Sequence, residues 1–172
     1  MVKSPRFSSA PVARKTIHHM DFETLVEVNK GVVTLTGEVH GYSQADEKKL
    51  SELVKQVEQR ADNQVFDEAV AEKASLLVYE VARGQFFRAG NKRTALVAGV
   101  VFLSKNGFTL DIANPELVGA VDKAGIAAAD LDDLYGVIQS LAKKRPTERK
   151  GWAKAVAQEV SANRDSLIKM GS

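Results

Sequence analysis

Apolar positions along this chain recur mostly three and four residues apart, the spacing of one face of an α-helix. Asp21 can cap a helix running to about Lys30, with Phe22, Leu25, Val26 and Val28 available for packing. The rhythm then changes. In VVTLTGEVHGY, Val33, Leu35 and Val39 are interleaved with Thr, and Gly37 and Gly41 supply turns, which predicts a small hairpin or flap. Ser43 and Asp46 form a capping box ahead of Leu50, Leu53, Val54 and Val57, a helix that ends near Arg60. A longer helix is expected from about Asp67 to Arg83, with Val70, Ala74, Leu77, Val78 and Val81 in one stripe and Gly84 as its stop.

The helix that follows, from about Asn91, is apolar around most of its circumference between Ala95 and Leu103. Such a helix belongs at the centre of a bundle. Asn106-Gly107 closes it with a left-handed cap, and Phe108–Leu110 reads as a short extended link. Asn114 caps a helix to about Ala124, Asp130 another to about Lys144, and Thr147 starts a final helix with Trp152, Val156, Val160 and Leu167. The pattern predicts an all-α bundle with at most one small β-hairpin.

Composition changes this picture little. The 172 residues suffice for one domain with a core, and 44% hydrophobic with 27% charged residues is ordinary for a globular protein. Without cysteine there is no disulfide, thiol nucleophile or thiolate metal site, which makes the cytoplasm the default location. The apolar runs fall far short of the roughly 20 residues of a membrane span, and no h-region follows the basic N-terminus. Charge is informative because it is partitioned. The net charge of +2 combines +4 over residues 1–20, −7 over 21–142 and +5 over 143–172. The chain thus reads as a basic arm (1–20), an acidic body (21–142) and a basic helical extension (143–172). The basic ends could contact nucleic acid or the protein's own surface. Self-contact or plain solvation is favoured, since no aromatic residue interleaves Lys143–Lys150 as a stacking platform.

The candidate chemistry sits in GQFFRAGNKRT, where one helix stops at Gly84 and another starts a few residues later. A helix start presents free N–H groups and the positive end of the helix dipole. Gly90 lets the backbone approach a ligand, Asn91 can cap, Lys92 and Arg93 bring charge, and Thr94 brings a hydroxyl. These form a candidate anion site. The plainer alternative is an ordinary N-cap with both cations in water.

The longer string GQFFRAGNKRTALVAGVVFLSKNG resembles the signature of the Fic/Doc family, most closely its death-on-curing (Doc) branch. That branch reads roughly H-x-F-x-[D/E]-x-N-K-R-T-A-L and leads into an apolar helix with an Asn-Gly cap. Phe87, Asn91, Lys92, Arg93, Thr94, Ala95 and Leu96 match, and a weaker likeness runs from about Asp21 to Ala142. The resemblance implies a Fic-type helical fold whose loop-helix holds ATP or another nucleotide by its phosphates, through Arg88, Gly90, Asn91, Lys92, Arg93 and Thr94. It also implies transfer of a nucleotidyl or phosphoryl group to a hydroxyl of a target protein, and, in the Doc branch, a toxin silenced by an antitoxin peptide. Lys92 and Leu96 favour the phosphoryl-transferring branch.

Two positions depart from the signature. The family's histidine, the base for the target hydroxyl, falls at Gln85, and glutamine cannot take a proton near neutrality. The acidic residue that helps hold Mg²⁺ falls at Ala89, so the protein alone is not expected to hold the metal. His18, His19 and His40 all lie upstream, and His40 is the best substitute base if a flap folds over the loop. The favoured expectation is a nucleotide-binding or regulatory module with degenerate catalysis. An active transferase using Arg88, Lys92 and Arg93 for transition-state charge, with substrate or metal supplying the rest, and a fold reused for partner or nucleic-acid binding through the basic arms, remain alternatives. The basic tail could itself fill the place of an antitoxin helix, or simply close the bundle.

Overall fold

A computed structural model of the protein describes residues 15–60, 65–145 and 151–170. Most of the expected N-terminal arm, and Thr147 as the expected start of the last helix, lie outside these residues. The described chain folds as eight helices and two short strands: α1 (Phe22–Thr36), α2 (Gln44–Gln59), α3 (Phe66–Gly84), α4 (Asn91–Lys105), β1 (Phe108–Thr109), α5 (Pro115–Gly125), α6 (Leu131–Leu141), β2 (Lys143–Lys144), α7 (Trp152–Ala162) and α8 (Arg164–Lys169). The all-α expectation holds. No helix among the described residues is long and apolar enough to cross a membrane.

Helix starts follow their local chemistry. Asp21, Ser43, Asn114 and Asp130 each accept a backbone N–H of the first turn they precede, and Asp130 with Asp133 completes a reciprocal box. At Ser43 the side chain accepts from Asp46 N–H at 3.0 Å and its hydroxyl donates to the Asp46 carboxylate at 2.8 Å.

Helix α4 is the centre of the bundle. Its residues from Arg93 to Ser104 are all buried, as its uniform apolarity requires. Helix α3 packs along it closely: a Cβ placed on Gly99 would stand 2.4 Å from Val78 Cγ2. Helices α1 and α7 cover other sides of α4, and α5 and α6 back onto α3. The tail joins the core, since Ala155, Val156 and Leu167 are buried with it. It forms two helices, α7 and α8, in place of the single one expected.

The expected hairpin over residues 33–41 is not where the β structure lies. Helix α1 runs on through Val33 and Leu35 to Thr36, six residues beyond its expected end, and stops where Gly37 takes φ 71°. Leu25, Val28 and Val32, all fully buried, continue a helical stripe into the Thr-rich stretch. Thr34 satisfies its hydroxyl on the Lys30 carbonyl at 2.7 Å, as a helix allows. The small antiparallel sheet instead pairs Phe108 with Lys144 and Thr109 with Lys143. That pairing ends α6 at Leu141, short of the Lys144 expected from the sequence.

Candidate functional site

The loop between α3 and α4 is built by its own residues. Gly84 lets the chain fold Phe86 back over it, where any Cβ would lie 2.2 Å from the ring. Gln85 follows in the left-handed region at φ 51°. Phe86 and Phe87 are buried and anchor the loop in the core. Asn91 closes it: its side chain accepts from Phe87 N–H at 2.9 Å and donates to the Phe87 carbonyl at 2.8 Å. This corrects the capping role expected of Asn91. The N-cap is Gly90, at φ 72°, and no side chain caps the helix.

Neighbouring segments hold the loop from outside. Arg88 N–H donates to the Gly41 carbonyl at 2.8 Å. On α1, Asn29 donates to the Ala89 carbonyl at 2.9 Å and to Thr94 Oγ1 at 3.0 Å. Asn29 is a polar residue on the buried stripe of α1, and that misfit is the sequence signal that could have found it.

The loop lines a cavity of about 350 Å³. Gln85, Arg88, Ala89, Gly90, Asn91 and Lys92 form one wall. The rest of the lining is the small apolar surfaces of Ala82, Val121, Gly125 and Ile126, with Glu38 and Asp122 as its acidic members. The first intrahelical bond of α4 is Thr94 N–H to the Gly90 carbonyl, at 2.8 Å. The N–H groups of Asn91, Lys92 and Arg93 therefore lie ahead of the helix ladder, at its positive end. Lys92 reaches across the cavity to an ion pair with Asp122.

Two of the expected phosphate ligands lie elsewhere. Arg93 is absent from the cavity lining, and its buried guanidinium faces the tail. Nε donates to the Leu167 carbonyl at 2.7 Å, Nη2 to the Met170 carbonyl, and Nη1 meets Glu38 at 3.3 Å. Thr94 is fully buried, with its hydroxyl oxygen on Asn29. The set Gln85, Arg88, Gly90, Asn91 and Lys92 is brought together; Arg93 and Thr94 serve the packing around it.

At the position of the family's histidine, Gln85 donates to the Ala82 carbonyl at 2.9 Å and accepts from Asn91 at 3.4 Å. Ala89 offers only its carbonyl, which Asn29 already occupies. Glu38 and Asp122 are the carboxylates on the cavity, and each is ion-paired, Glu38 with Arg93 and Asp122 with Lys92. Glu38 and Asp122 went unnoticed in the sequence because nothing local marks them. His18 and His19 lie away from the cavity; burial, then Lys73, lowers the His19 pKa from its ordinary value. His40 is nearer. Its Nδ1 stands 2.6 Å from Asn29 Oδ1, and burial, then Lys30, lowers its pKa while Glu27 opposes the shift.

The model of the Fic/DOC family matches residues 14–103, which include the whole loop and nearly all of α4. The chain belongs to that family. No curated protein and no solved structure matches it.

Proposed function

We propose that the chain is a nucleotide-binding module on a Fic/Doc fold, nearest the death-on-curing branch, whose loop keeps the phosphate site and lacks the family's base and metal acid. One observation carries this reading. The uncapped N-terminus of α4 opens, with Lys92 and Arg88, into a 350 Å³ cavity that also has an apolar wall. Helix N–H groups and a lysine suit phosphate, and the wall of Val121, Gly125 and Ile126 suits a flat base or sugar. The ligand class is ATP or another nucleotide. The hydrogen-bonded amide of Gln85 supports loss of the family's proton transfer, and a binding or regulatory role in the cytoplasm follows.

The second reading is a Doc-like transferase, the toxin of a toxin–antitoxin pair, passing a phosphoryl (rather than nucleotidyl) group to a target hydroxyl. Arg88 and Lys92 on the cavity favour it, because charge and positioning dominate phosphoryl transfer. In that setting the tail could stand in for an antitoxin helix, although its buried Leu167 is what a closing helix of the bundle requires. Calorimetry with ATP, ADP and inorganic phosphate tests the binding common to both readings. Binding of ADP that weakens with added salt is expected. No heat with any of the three at millimolar concentration would overturn it.

A further inference from the structure

The cavity carries more negative charge than a phosphate site alone requires. Its lining holds two cations, Arg88 and Lys92, and two carboxylates, Glu38 and Asp122. Arg93 pairs with Glu38 from outside the lining. Three cations against two carboxylates leave one net positive charge, and the start of α4 adds about half a charge more. Lys92 and Arg93 are each engaged by one of the acids, while the Arg88 side chain makes no hydrogen bond or ion pair among the described residues.

Glu38 is the fixed member of this set. Its Oε1 accepts from the Thr36 hydroxyl at 2.7 Å and from Arg93 Nη1 at 3.3 Å. Arg93 is buried and holds the carbonyls of Leu167 and Met170, so it anchors the carboxylate in turn. Glu38 cannot swing away from an incoming anion without breaking these bonds. Its Oε2 has no hydrogen-bond partner among the described residues and is not one of the buried unpartnered atoms, so it is open to solvent. A carboxylate oxygen only accepts, as do the oxygens of a phosphate chain, whereas sugar hydroxyls and exocyclic amines donate. Asp122, half-exposed, adds a second negative charge to the lining.

We propose that the cavity selects nucleotides by charge, taking a nucleoside monophosphate in preference to the di- or triphosphate, and that Glu38, seconded by Asp122, sets the preference. This ligand class deepens the nucleotide reading above and rests on it. A single phosphate carries about −1.5 to −2 at neutral pH, close to the positive charge the site can set against it. A second or third phosphate brings negative charge that no further cation on the lining offsets, next to a carboxylate held in place. A monophosphate has no phosphoanhydride bond to give up. It therefore suits a binding or regulatory module, in line with the hydrogen-bonded amide of Gln85.

Calorimetry with AMP, ADP and ATP in the presence of a chelator reads the charge of the nucleotide alone. On the unmodified chain AMP should bind tightest and ATP weakest, by about tenfold, the effect of one unit charge acting over about 12 Å at an effective dielectric of about 20. Glu38→Gln keeps an acceptor for Thr36 and Arg93 but loses the charge. It should tighten ATP about tenfold and AMP by less than about threefold. Asp122→Asn alters a half-exposed pair that contributes little to folding, so it carries the test if Glu38→Gln does not fold. It should narrow the gap between AMP and ATP in the same direction. ATP binding as tightly as AMP on the unmodified chain would overturn the proposal and leave the nucleotide reading standing, as would an equal gain for AMP and ATP in the variants. Binding of none of the three would overturn the nucleotide reading and this proposal together.

Discussion

Lys92 and Arg93 are adjacent cations on the first turn of α4, yet they serve two regions on different terms. Lys92 faces the cavity, with 22% of its side chain exposed and one ion pair to a half-exposed Asp122. Arg93 keeps only 6% exposed and gives its nitrogens to two tail carbonyls and to Glu38. Each residue along a helix turns by about 100°, so neighbouring positions in a motif point into different surroundings. On the cavity side the charge is thinly engaged and available to a ligand. On the tail side it is desolvated and committed. Matching a family motif thus fixes the residue types, while packing decides which of them still meet a ligand.

The largest test of the comparison rebuilds the cavity side. Gln85→His with Ala89→Asp places a histidine and an acid at the positions the family signature gives them. The position at φ 51° accepts histidine more readily than most residues. Transfer of labelled phosphate from Mg-ATP to protein or water should rise about 10²–10⁴-fold over the unmodified chain. Neither single change should achieve as much, since base and metal act on one transition state. No gain in the double variant would show that the cavity does not hold the nucleotide in the family's manner.

Arg93→Ala tests the tail side. It strips a buried partner from the carbonyls of Leu167 and Met170 and leaves Glu38 without its cation. A loss of about 3 kcal/mol is expected, read as a lower denaturant midpoint, with ADP affinity changed by less than about twofold. Leu167→Ala should cost a similar amount, about 2–5 kcal/mol, by opening a cavity under α8. A chain ended before Gly151 should lose its cooperative melt. If Arg93→Ala instead weakened ADP about tenfold with an unchanged midpoint, the two-sided division of α4 would be wrong.

How far these regions could be read in advance follows from how local their causes are. The caps at Ser43, Asn114 and Asp130 were legible because each involves residues within three positions. The burial of α4 was legible because its composition leaves it no polar face. The hairpin expected at residues 33–41 failed for the opposite reason: Val33 and Leu35 alternate locally, but the stripe through Leu25, Val28 and Val32 outweighs four residues of rhythm. In the site, the loop's residue types were readable. The direction of Arg93 was not, since it depends on carbonyls 74 and 77 residues away. Nor were Glu38 and Asp122, which reach the cavity only through the packing of α1 and α5 around α3 and α4.

Gly90 lies at the junction of the two sides, and its substitution should have an intermediate effect. At φ 72° an added Cβ is strained, and it would stand 3.1 Å from Val33 Cγ1 and 3.3 Å from Val32 Cγ1. Gly90→Ala should cost about 1–2 kcal/mol from backbone conformation alone. It should also weaken ADP binding, because the strain falls on the turn that aims the free N–H groups. Unchanged affinity alongside reduced stability would mean that those groups do not hold the ligand.

The smallest effects are expected at Lys92 and Asp122, and they bear most directly on the open side. Their pair is partly exposed, and such pairs contribute about 0–1 kcal/mol to folding. Lys92→Gln should therefore leave the denaturant midpoint almost where it was. ADP and phosphate affinity should still fall, by about tenfold, because a charge-assisted hydrogen bond to the ligand is lost (about 1.5 kcal/mol). Asp122→Asn should act in the opposite direction. In the unliganded chain the Asp122 carboxylate occupies Lys92, so on the proposed reading a phosphate would bind by exchange of one anion for another. Removing the competitor's charge, worth about 0.4–1 kcal/mol, should tighten ADP by about two- to fivefold. Raising salt should shrink that gain, since the competing pair is itself screened. Calorimetry on the two variants at two salt concentrations reads all of this. Weaker binding in Asp122→Asn would mean that the carboxylate is a ligand contact rather than a competitor, and that the acidic wall of the cavity faces the nucleotide's sugar or base.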